Sequence, residues 1–583
     1  MEQKYYKITK REQDTFSLNL WDIIMLFLIL GLFAMTVIAT RNMTIPYTLG
    51  QSINITLSPF KLPFYAFYSI LRMAIALFIS LLISLFIGRL CAKSQVAEKL
   101  VIPLIDILQS IPILGFQAIS VIPFIYLFPT TRLGPEFAAI FALVTSLVWN
   151  MILSVYQSIK NLPNDLNEAA DIMRLSKWQR AFKIEFPFAV PNLIWNMMIS
   201  VSSGWFFVVA CETILVANQK ITLPGIGSYI YLAIADQNLT AIFYAILTML
   251  IVILLYDQLL FRPLVWWSEK FKLDSDDEYT FYDTPWVYEL FQKTIFVKYL
   301  KNKISNFIEN TQAYYYKKYK KKNILPKVYS ETNSKLFSPN LIYTLVALLL
   351  LTSIYLFSYF IYENLSTKEV LYVIYLGGVT ALKVFILILL CSIIWVPIGV
   401  FIGLNPKLTR IVQPMIQFLA AFPANLIFPL IVMLIVKFNL NVNIWTSPLM
   451  ILGTQWYILF NIISGMTSIP KELKYAIQNY QIKGKLWWTR FALPAVFPYY
   501  VTGAMAAAGG AWNASIVAEV VEWGNTKLVA TGLGAYIAQY TATGNMPHVA
   551  LGIIVMSLYV IVLNKLIWER LYKMTTENYN YNI

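Results

Sequence analysis

Long apolar runs alternate with short polar ones along the whole chain. Runs near 19–40, 67–90, 100–128, 135–158, 188–212 and 238–262 are each long enough to cross a hydrocarbon layer, which takes about 20 helical residues. Six more follow near 339–361, 372–404, 410–437, 445–466, 494–520 and 547–568. In lipid the backbone must be satisfied within its own segment, so each run is expected to be a helix. The runs do not show the alternating stretches of about ten residues that a membrane barrel needs. The pattern therefore predicts an all-α polytopic membrane protein of about 12 transmembrane helices.

Composition and charge sharpen this picture. Of the 583 residues 58% are hydrophobic and 13% charged, against about 25% charged in soluble domains. An even number of spans puts both termini on one side. On that side fall 36 of the 45 Lys and Arg residues, against 7 on the other, so the positive-inside rule assigns the termini to the cytoplasm. The net charge of +15 follows from this topology and calls for no nucleic-acid partner. The first run is too long for the core of a secretory signal and is read as a retained span. The longest polar stretch, 263–338, holds DSDDEYTFYDT and QAYYYKKYKKKNILPK. It reads as a cytoplasmic basic Tyr/Lys-rich linker, either solvated or lying on an anionic lipid surface.

The chain repeats itself. IPLIDILQSIPILGF at 102–116 matches VQPMIQFLAAFPANLIF at 412–428, with Pro103 on Pro414 and Pro112 on Pro423. At the same offset Arg72 falls on Lys383 and Gly88 on Gly399. Further on, SGWFFVVACE (203–212) matches GAWNASIVAE (510–519), and LPGIGSYI (223–230) matches ATGLGAYI (530–537). Trp205 thus pairs with Trp512, Glu212 with Glu519 and Gly227 with Gly534. Six spans per copy give both copies the same orientation, hence two tandem six-helix halves about a pseudo-twofold axis along the membrane normal. The expected halves are 1–262 and 339–583, joined by 263–338.

One polar stretch, NEAADIMRLSKWQRAFKIEFP at 167–187, lies between two apolar runs on the cytoplasmic side. Pro163, Asn164 and Asp165 suit a helix start. Arg174, Lys177, Arg180 and Lys183 crowd the later turns, where cations suit the helix dipole. A surface helix over 163–183 is expected, with a weaker copy over 470–490.

Buried polar residues are the other candidates. Arg72 and Lys383 sit at equivalent places within their spans and either snorkel outward or present paired positive charge to an anion. In the second case, converting both to Gln should abolish anion uptake and leave assembly intact. Glu212 and Glu519 end the fifth span of each half, with Glu522 nearby; they suit an outer gate or a partner contact better than acid–base chemistry, having no nucleophile beside them. Trp205 and Trp512 lie in runs of small residues suited to close helix packing near the pore. Asn513 and Ser515 are candidate pore-lining groups, and Gln109, Gln417 and Asn150 candidate helix bridges. Cys91, Cys211 and Cys391 lie in or beside apolar runs, which argues against a disulfide framework or metal cluster. The single His548 is read as an ordinary interfacial residue. No G-x-x-x-x-G-K-S/T run is present to cradle nucleotide phosphates; Gly484-Lys485 is followed by Leu486. No cofactor and no catalytic residue is expected.

The stretch at 167–187 resembles the EAA motif of the permease subunits of binding-protein-dependent ATP-binding-cassette importers. Glu168, Ala169, Ala170, Ile184 and Pro187 hold motif positions, while Arg174 stands in place of the motif glycine and Phe186 of its leucine. The second copy keeps Ala476, Leu493 and Pro494 and carries Tyr475, Ile477 and Gln481 where the motif has glutamate, alanine and glycine. GGAWNASIVAE and ATGLGAYIA look like the branch that imports nitrate, sulfonates, taurine and similar small anions. The resemblance implies a fused, duplicated permease in the inner membrane of a prokaryote, moving a small anion inward by alternating access. It also implies two copies of a separate cytoplasmic ATPase and an extracytoplasmic solute-binding protein as partners. The implied ATPase contacts are Glu168, Ala169, Ala170, Arg174 and Lys177 in the first copy, and Tyr475, Ala476, Gln481 and Gly484 in the second. The residues themselves, by their places in the spans, make Arg72, Lys383, Trp205, Glu212, Trp512, Asn513 and Glu519 the candidate pathway or gate residues. A secondary transporter driven by an ion gradient is the alternative; it would need coupling carboxylates near the midplane, and the spans hold few.

Overall fold

The computed structural model describes residues 20–46, 55–109, 111–173, 175–216, 219–271, 285–294, 303 and 339–578. The chain divides into two units. One comprises residues 1–40 with 274–329 and the other 41–273 with 330–583. In the chain's first half the helices are α1 (Leu20–Met43), α2 (Leu62–Lys93), α3 (Gln95–Leu108), α4 (Ile113–Leu127), α5 (Leu133–Lys160), α6 (Asn164–Ile172), α7 (Lys177–Arg180) and α8 (Phe186–Cys211). A hairpin of β1 (Thr213–Val216) and β2 (Gln219–Thr222) follows, then α9 (Ile226–Ala235), α10 (Leu239–Tyr256), α11 (Arg262–Glu269) and α12 (Trp286–Lys293). The second half runs α13 (Pro339–Asn364), α14 (Thr367–Leu404), α15 (Pro406–Ala421), α16 (Phe428–Lys437), α17 (Val442–Trp445), α18 (Gln455–Thr467), α19 (Lys471–Asn479), α20 (Gly484–Trp487) and α21 (Leu493–Ala518). The hairpin β3 (Val520–Trp523) and β4 (Thr526–Val529) precedes α22 (Leu533–Thr543), α23 (Met546–Leu563) and α24 (Glu569–Asn578).

Among the described residues eight helices are long and apolar enough to span a membrane, or eleven if three bent pairs each count once. The chain is an all-α polytopic membrane protein, its described residues departing from helix in two short antiparallel hairpins. The expected spans at 100–128 and 410–437 are bent rather than straight: α3 meets α4 at 89° and α15 meets the helix over 424–437 at 72°. Pro112 and Pro423 stand at these breaks. Proline supplies no N–H to the helix ladder and restricts the residue before it, so neither helix continues. The expected span at 445–466 is also bent, by 44°; its counterpart in the first half, α5, is one helix of 28 residues.

The repeat is visible in detail. Ser94 ends α2 and caps α3, accepting from Ala97 N at 3.3 Å, and Asn405 does the same between α14 and α15, accepting from Lys407 N at 3.1 Å. A Cβ on Gly88 would lie 2.7 Å from Val155, and one on Gly399 2.7 Å from Ile462. Only glycine lets these helices approach so closely. π-helical turns over Ala181–Glu185 and Asp257–Phe261 return at Trp488–Ala492 and Asn564–Trp568. Such turns are rare and concentrate at functional places. Each first-listed turn joins a short helix to a span, making continuous rods of Lys177–Cys211 and Gly484–Ala518.

The two halves also pack on each other reciprocally. α22 lies on β1 and α9 on β3; α8 lies on the turn at Ala424–Leu426 and α21 on α4. Two asparagines complete this interface. Asn513 Oδ1 accepts from Ile113 N at 2.7 Å, and Asn425 Nδ2 donates to Phe206 O at 3.3 Å. Each position is the repeat partner of an apolar residue, so the hydrogen bond recurs while the asparagine changes sides. Asn513→Ala is expected to cost about 1 kcal/mol, a lost hydrogen bond's worth. Thermal unfolding of the detergent-solubilised protein would show it.

Candidate functional site

The motif segments lie at one end of the spans. α6 begins after Pro163, which stands at the N-cap position and offers no side-chain cap. The expected single helix over 163–183 is in fact two. α6 ends at Ile172, and Ser176 opens α7 with a capping box, its Oγ accepting from Gln179 N at 3.3 Å while Gln179 Oε1 accepts from Ser176 N at 2.9 Å. Arg174 lies outside the described residues. The second segment repeats the plan: α19 follows Pro470, a turn follows, and α20 begins at Gly484. Glu168 and Tyr475 are exposed at equivalent positions, Ala169 and Ala476 are half-buried, and Ala170 is fully buried. Desolvation holds the Lys474 ammonium below the ordinary lysine range.

Gln481 stands where the family motif has glycine, and its φ is +51°. The left-handed turn is therefore made with a side chain present, which costs about 1 kcal/mol. Gln481→Gly is expected to stabilise the protein by about 0.5–1 kcal/mol, since relief of strain outweighs the added freedom of the unfolded chain. A lowered unfolding midpoint would contradict this. Gly484 also has positive φ, +60°, with open space around a would-be Cβ.

An ionic cluster anchors the first segment alone. Glu185, fully buried in the π turn, accepts from Arg89 Nε at 2.7 Å and faces Lys93 Nζ at 3.1 Å. Arg89 Nη2 also donates to the carbonyl of Lys177 at 3.0 Å. At the repeat offsets these three residues become Ala492, Val400 and Leu404 in the second half. All three ions are replaced together.

A second cluster sits at the far end of the same rods. Arg72 is fully buried. Its guanidinium donates to Glu136 at 2.6 and 2.8 Å and to Glu212 at 2.9 Å. Glu212 also accepts from Ser69 Oγ at 2.5 Å and from Gly227 N at 2.6 Å, and Ser69 Oγ accepts from Ile226 N at 3.2 Å. The first N–H groups of α9, orphaned by helix geometry, thus end on a buried carboxylate and a hydroxyl. A Cβ on Gly225 would lie 2.2 Å from the Glu212 carboxyl carbon, so glycine is required for the approach. In the second half Glu519 accepts from Lys383 Nζ at 3.1 Å, Thr380 Oγ1 at 3.3 Å and Ala535 N at 3.0 Å. Thr380 Oγ1 accepts from Leu533 N at 2.9 Å. Glu136 has no carboxylate counterpart. Its repeat position is Asn443, which accepts from Thr531 N at 2.7 Å, while Lys383 donates to Thr531 O at 2.7 Å.

Arg72 and Lys383 therefore stand neutralised in side-chain clamps. Trp205 and Trp512 are buried against Tyr256 and Tyr559, with ring centroids 5.4 and 6.2 Å apart. Asn513 bridges the halves, and Ser515 is buried with its hydroxyl on the carbonyl of Trp512. Of the three expected helix bridges only Gln417 forms one, donating to Met198 Sδ. Gln109 and Asn150 are exposed, and Gln109 donates to Asp106 three residues earlier rather than to another helix. Glu522 pairs with Lys527 across the second hairpin at 3.8 Å.

Residues 84–260 and 395–567, together more than half of the chain, each match the family described as the binding-protein-dependent transport system inner membrane component. The chain belongs to that family. Its starts and ends fall on the same repeat offsets as the clusters just described, so one permease domain occurs twice. Among curated proteins the chain is similar to the bicarbonate transport system permease protein CmpB of Synechococcus elongatus, 25% identical over 190 residues, 33% of this chain and 64% of that protein. It is likewise similar to the nitrate import permease protein NrtB of a Synechocystis species, 25% identical over 192 residues, 33% of this chain and 65% of that one. The glycine betaine/carnitine transport permease protein GbuB of Listeria monocytogenes is 24% identical over 184 residues, 31% of this chain and 59% of that protein. The chain thus covers under two thirds of these relatives' lengths.

Proposed function

We propose that this chain is the complete membrane pathway of an ATP-driven importer, two permease halves fused through 263–338, moving a small oxyanion of the nitrate and bicarbonate class inward. One observation carries the reading. The second helix of each motif segment, α7 or α20, opens a single rod, Lys177–Cys211 or Gly484–Ala518, whose other end is followed at once by the clamp carboxylate, Glu212 or Glu519. Motion imposed on α6 and α7 by a cytoplasmic ATPase then reaches the clamp and hairpin through a rigid element. Glu168, Ala169, Ala170, Arg174, Lys177, Tyr475, Ala476, Gln481 and Gly484 make the ATPase contact. Arg72, Glu212, Lys383 and Glu519 hold the outer framework of the gate, with Trp205, Trp512 and Asn513 packing between gate and core. A solute-binding protein delivers cargo to the hairpin face, both termini are cytoplasmic, and the membrane is the inner membrane of a prokaryote.

The test is uptake of labelled nitrate and bicarbonate by cells carrying the full assembly. Uptake that stops on ATP depletion and survives a protonophore supports the reading. Uptake that survives ATP depletion and stops when the ion gradient collapses overturns it in favour of a secondary transporter.

A further inference from the structure

Among the described residues three side-chain amides bond across the two halves, those of Asn513, Asn425 and Gln417, and the third is poorly matched. Asn513 accepts from Ile113 N at 2.7 Å and donates to Gly509 O at 3.0 Å. Asn425 donates to Phe206 O at 3.3 Å. Gln417 instead donates to a thioether, its Nε2 lying 2.9 Å from Met198 Sδ. Sulfur is a weak acceptor. A strong donor resting on it between packed helices recovers little of what desolvation cost. Any oxygen acceptor that reached this place would take the donor from the sulfur.

Position and motion fit such an exchange. Met198 is buried and stands midway along α8, and α15, which carries Gln417, packs against α8. The contact thus closes the seam between the halves at the mid-depth of a span. α8 is part of the rod Lys177–Cys211, so a shift of that rod past α15 parts the thioether from the amide. At the equivalent place the first half has Asp106, which accepts from Gln109 at 3.3 Å; of this pair only Gln417 donates. We propose that Gln417 holds the solute at mid-depth, its amide N–H turning from Met198 Sδ to an oxygen of a small oxyanion when the rod moves. This rests on the function proposed above and deepens it by naming a solute-binding residue. Arg72 and Lys383 are already held by carboxylates, so a neutral donor does the binding. It releases an anion more readily than a buried cation would, and passage requires a hold weak enough to leave.

The test is initial-rate uptake of labelled nitrate and, in a separate arm, labelled bicarbonate, by cells carrying the full assembly, across a range of solute concentrations. Gln417→Met keeps the length of the side chain and removes the donor. It is expected to raise KM about tenfold for the anion the parent imports, with the maximal rate within about twofold. Met198→Leu keeps the volume and removes the sulfur. It is expected to lower KM or leave it within about twofold, since it takes away only the resting partner. An unchanged KM in Gln417→Met, or the same rise in both variants, makes Gln417 a packing bridge and overturns the inference while leaving the proposed function in place. Gln417→Glu gives a second reading should the Met variant fail to assemble. It keeps the shape and sets a carboxylate against the anion, and is expected to raise KM at least tenfold; uptake equal to the parent's overturns the inference. Parent uptake of neither anion, or uptake that persists without ATP, removes the proposed function and this inference with it.

Discussion

Arg72→Met is expected to remove about 3–5 kcal/mol of stability, the cost of leaving buried charge without its partner. The substitution strands Glu136 and Glu212 beside each other with side chains 3% and 0% exposed. Lys383→Met should cost less, about 1–3 kcal/mol, because it leaves one carboxylate rather than two. Glu519 would still accept from Thr380 and Ala535, and the Lys383 side chain is already 14% exposed. Unfolding of the two variants in matched detergent would give the ordering. Equal and small losses, with transport abolished and assembly intact, would instead return both cations to the solute path. The clamps argue against that, since each cation is already held by carboxylate within its own half.

The anchor around Glu185 should behave non-additively. Arg89→Val with Lys93→Leu leaves the buried Glu185 uncompensated and is expected to cost about 2–3 kcal/mol, somewhat under the usual figure because a carboxylate near the segment end can recruit water. Adding Glu185→Ala recreates the set the second half uses, Val, Leu and Ala. The triple variant is expected to return to within about 1 kcal/mol of the parent, as apolar replacements of whole buried ion clusters often do. It should nonetheless uncouple: with Arg89 gone, Lys177 O loses its tie to α2. ATP hydrolysis by the assembled complex, measured with and without solute, should become less responsive to solute in the triple variant while its unfolding midpoint is kept. A triple variant as unstable as the double would contradict the account.

Much of this was legible in the chain. Run length and charge asymmetry gave a helical membrane protein, and the offsets linking Pro112 to Pro423 and Trp205 to Trp512 gave the duplication. The bends at those prolines were missed because hydropathy averages over a break and registers only the apolar total. The hairpins were missed because four-residue strands in an apolar setting carry no period of their own. Among site residues, Arg72 and Glu212 stood out as charges in greasy runs, but their contact could not be read from positions 140 residues apart. Glu136 and the Glu185 cluster went unmarked, although one signal was available. Reading the two halves side by side shows Glu136 becoming Asn443, and Arg89, Lys93 and Glu185 becoming apolar together. Ions lost as a set are ions that touched.

The most direct test of the central claim is the sidedness and occupancy of the motif segments. All three native cysteines are buried, so Glu168→Cys and Tyr475→Cys can be read as single reporters with a membrane-impermeant maleimide. The account predicts labelling in inside-out vesicles only, and protection there when ATPase subunits are bound. Labelling in right-side-out vesicles, or inside-out labelling indifferent to added ATPase, would contradict it.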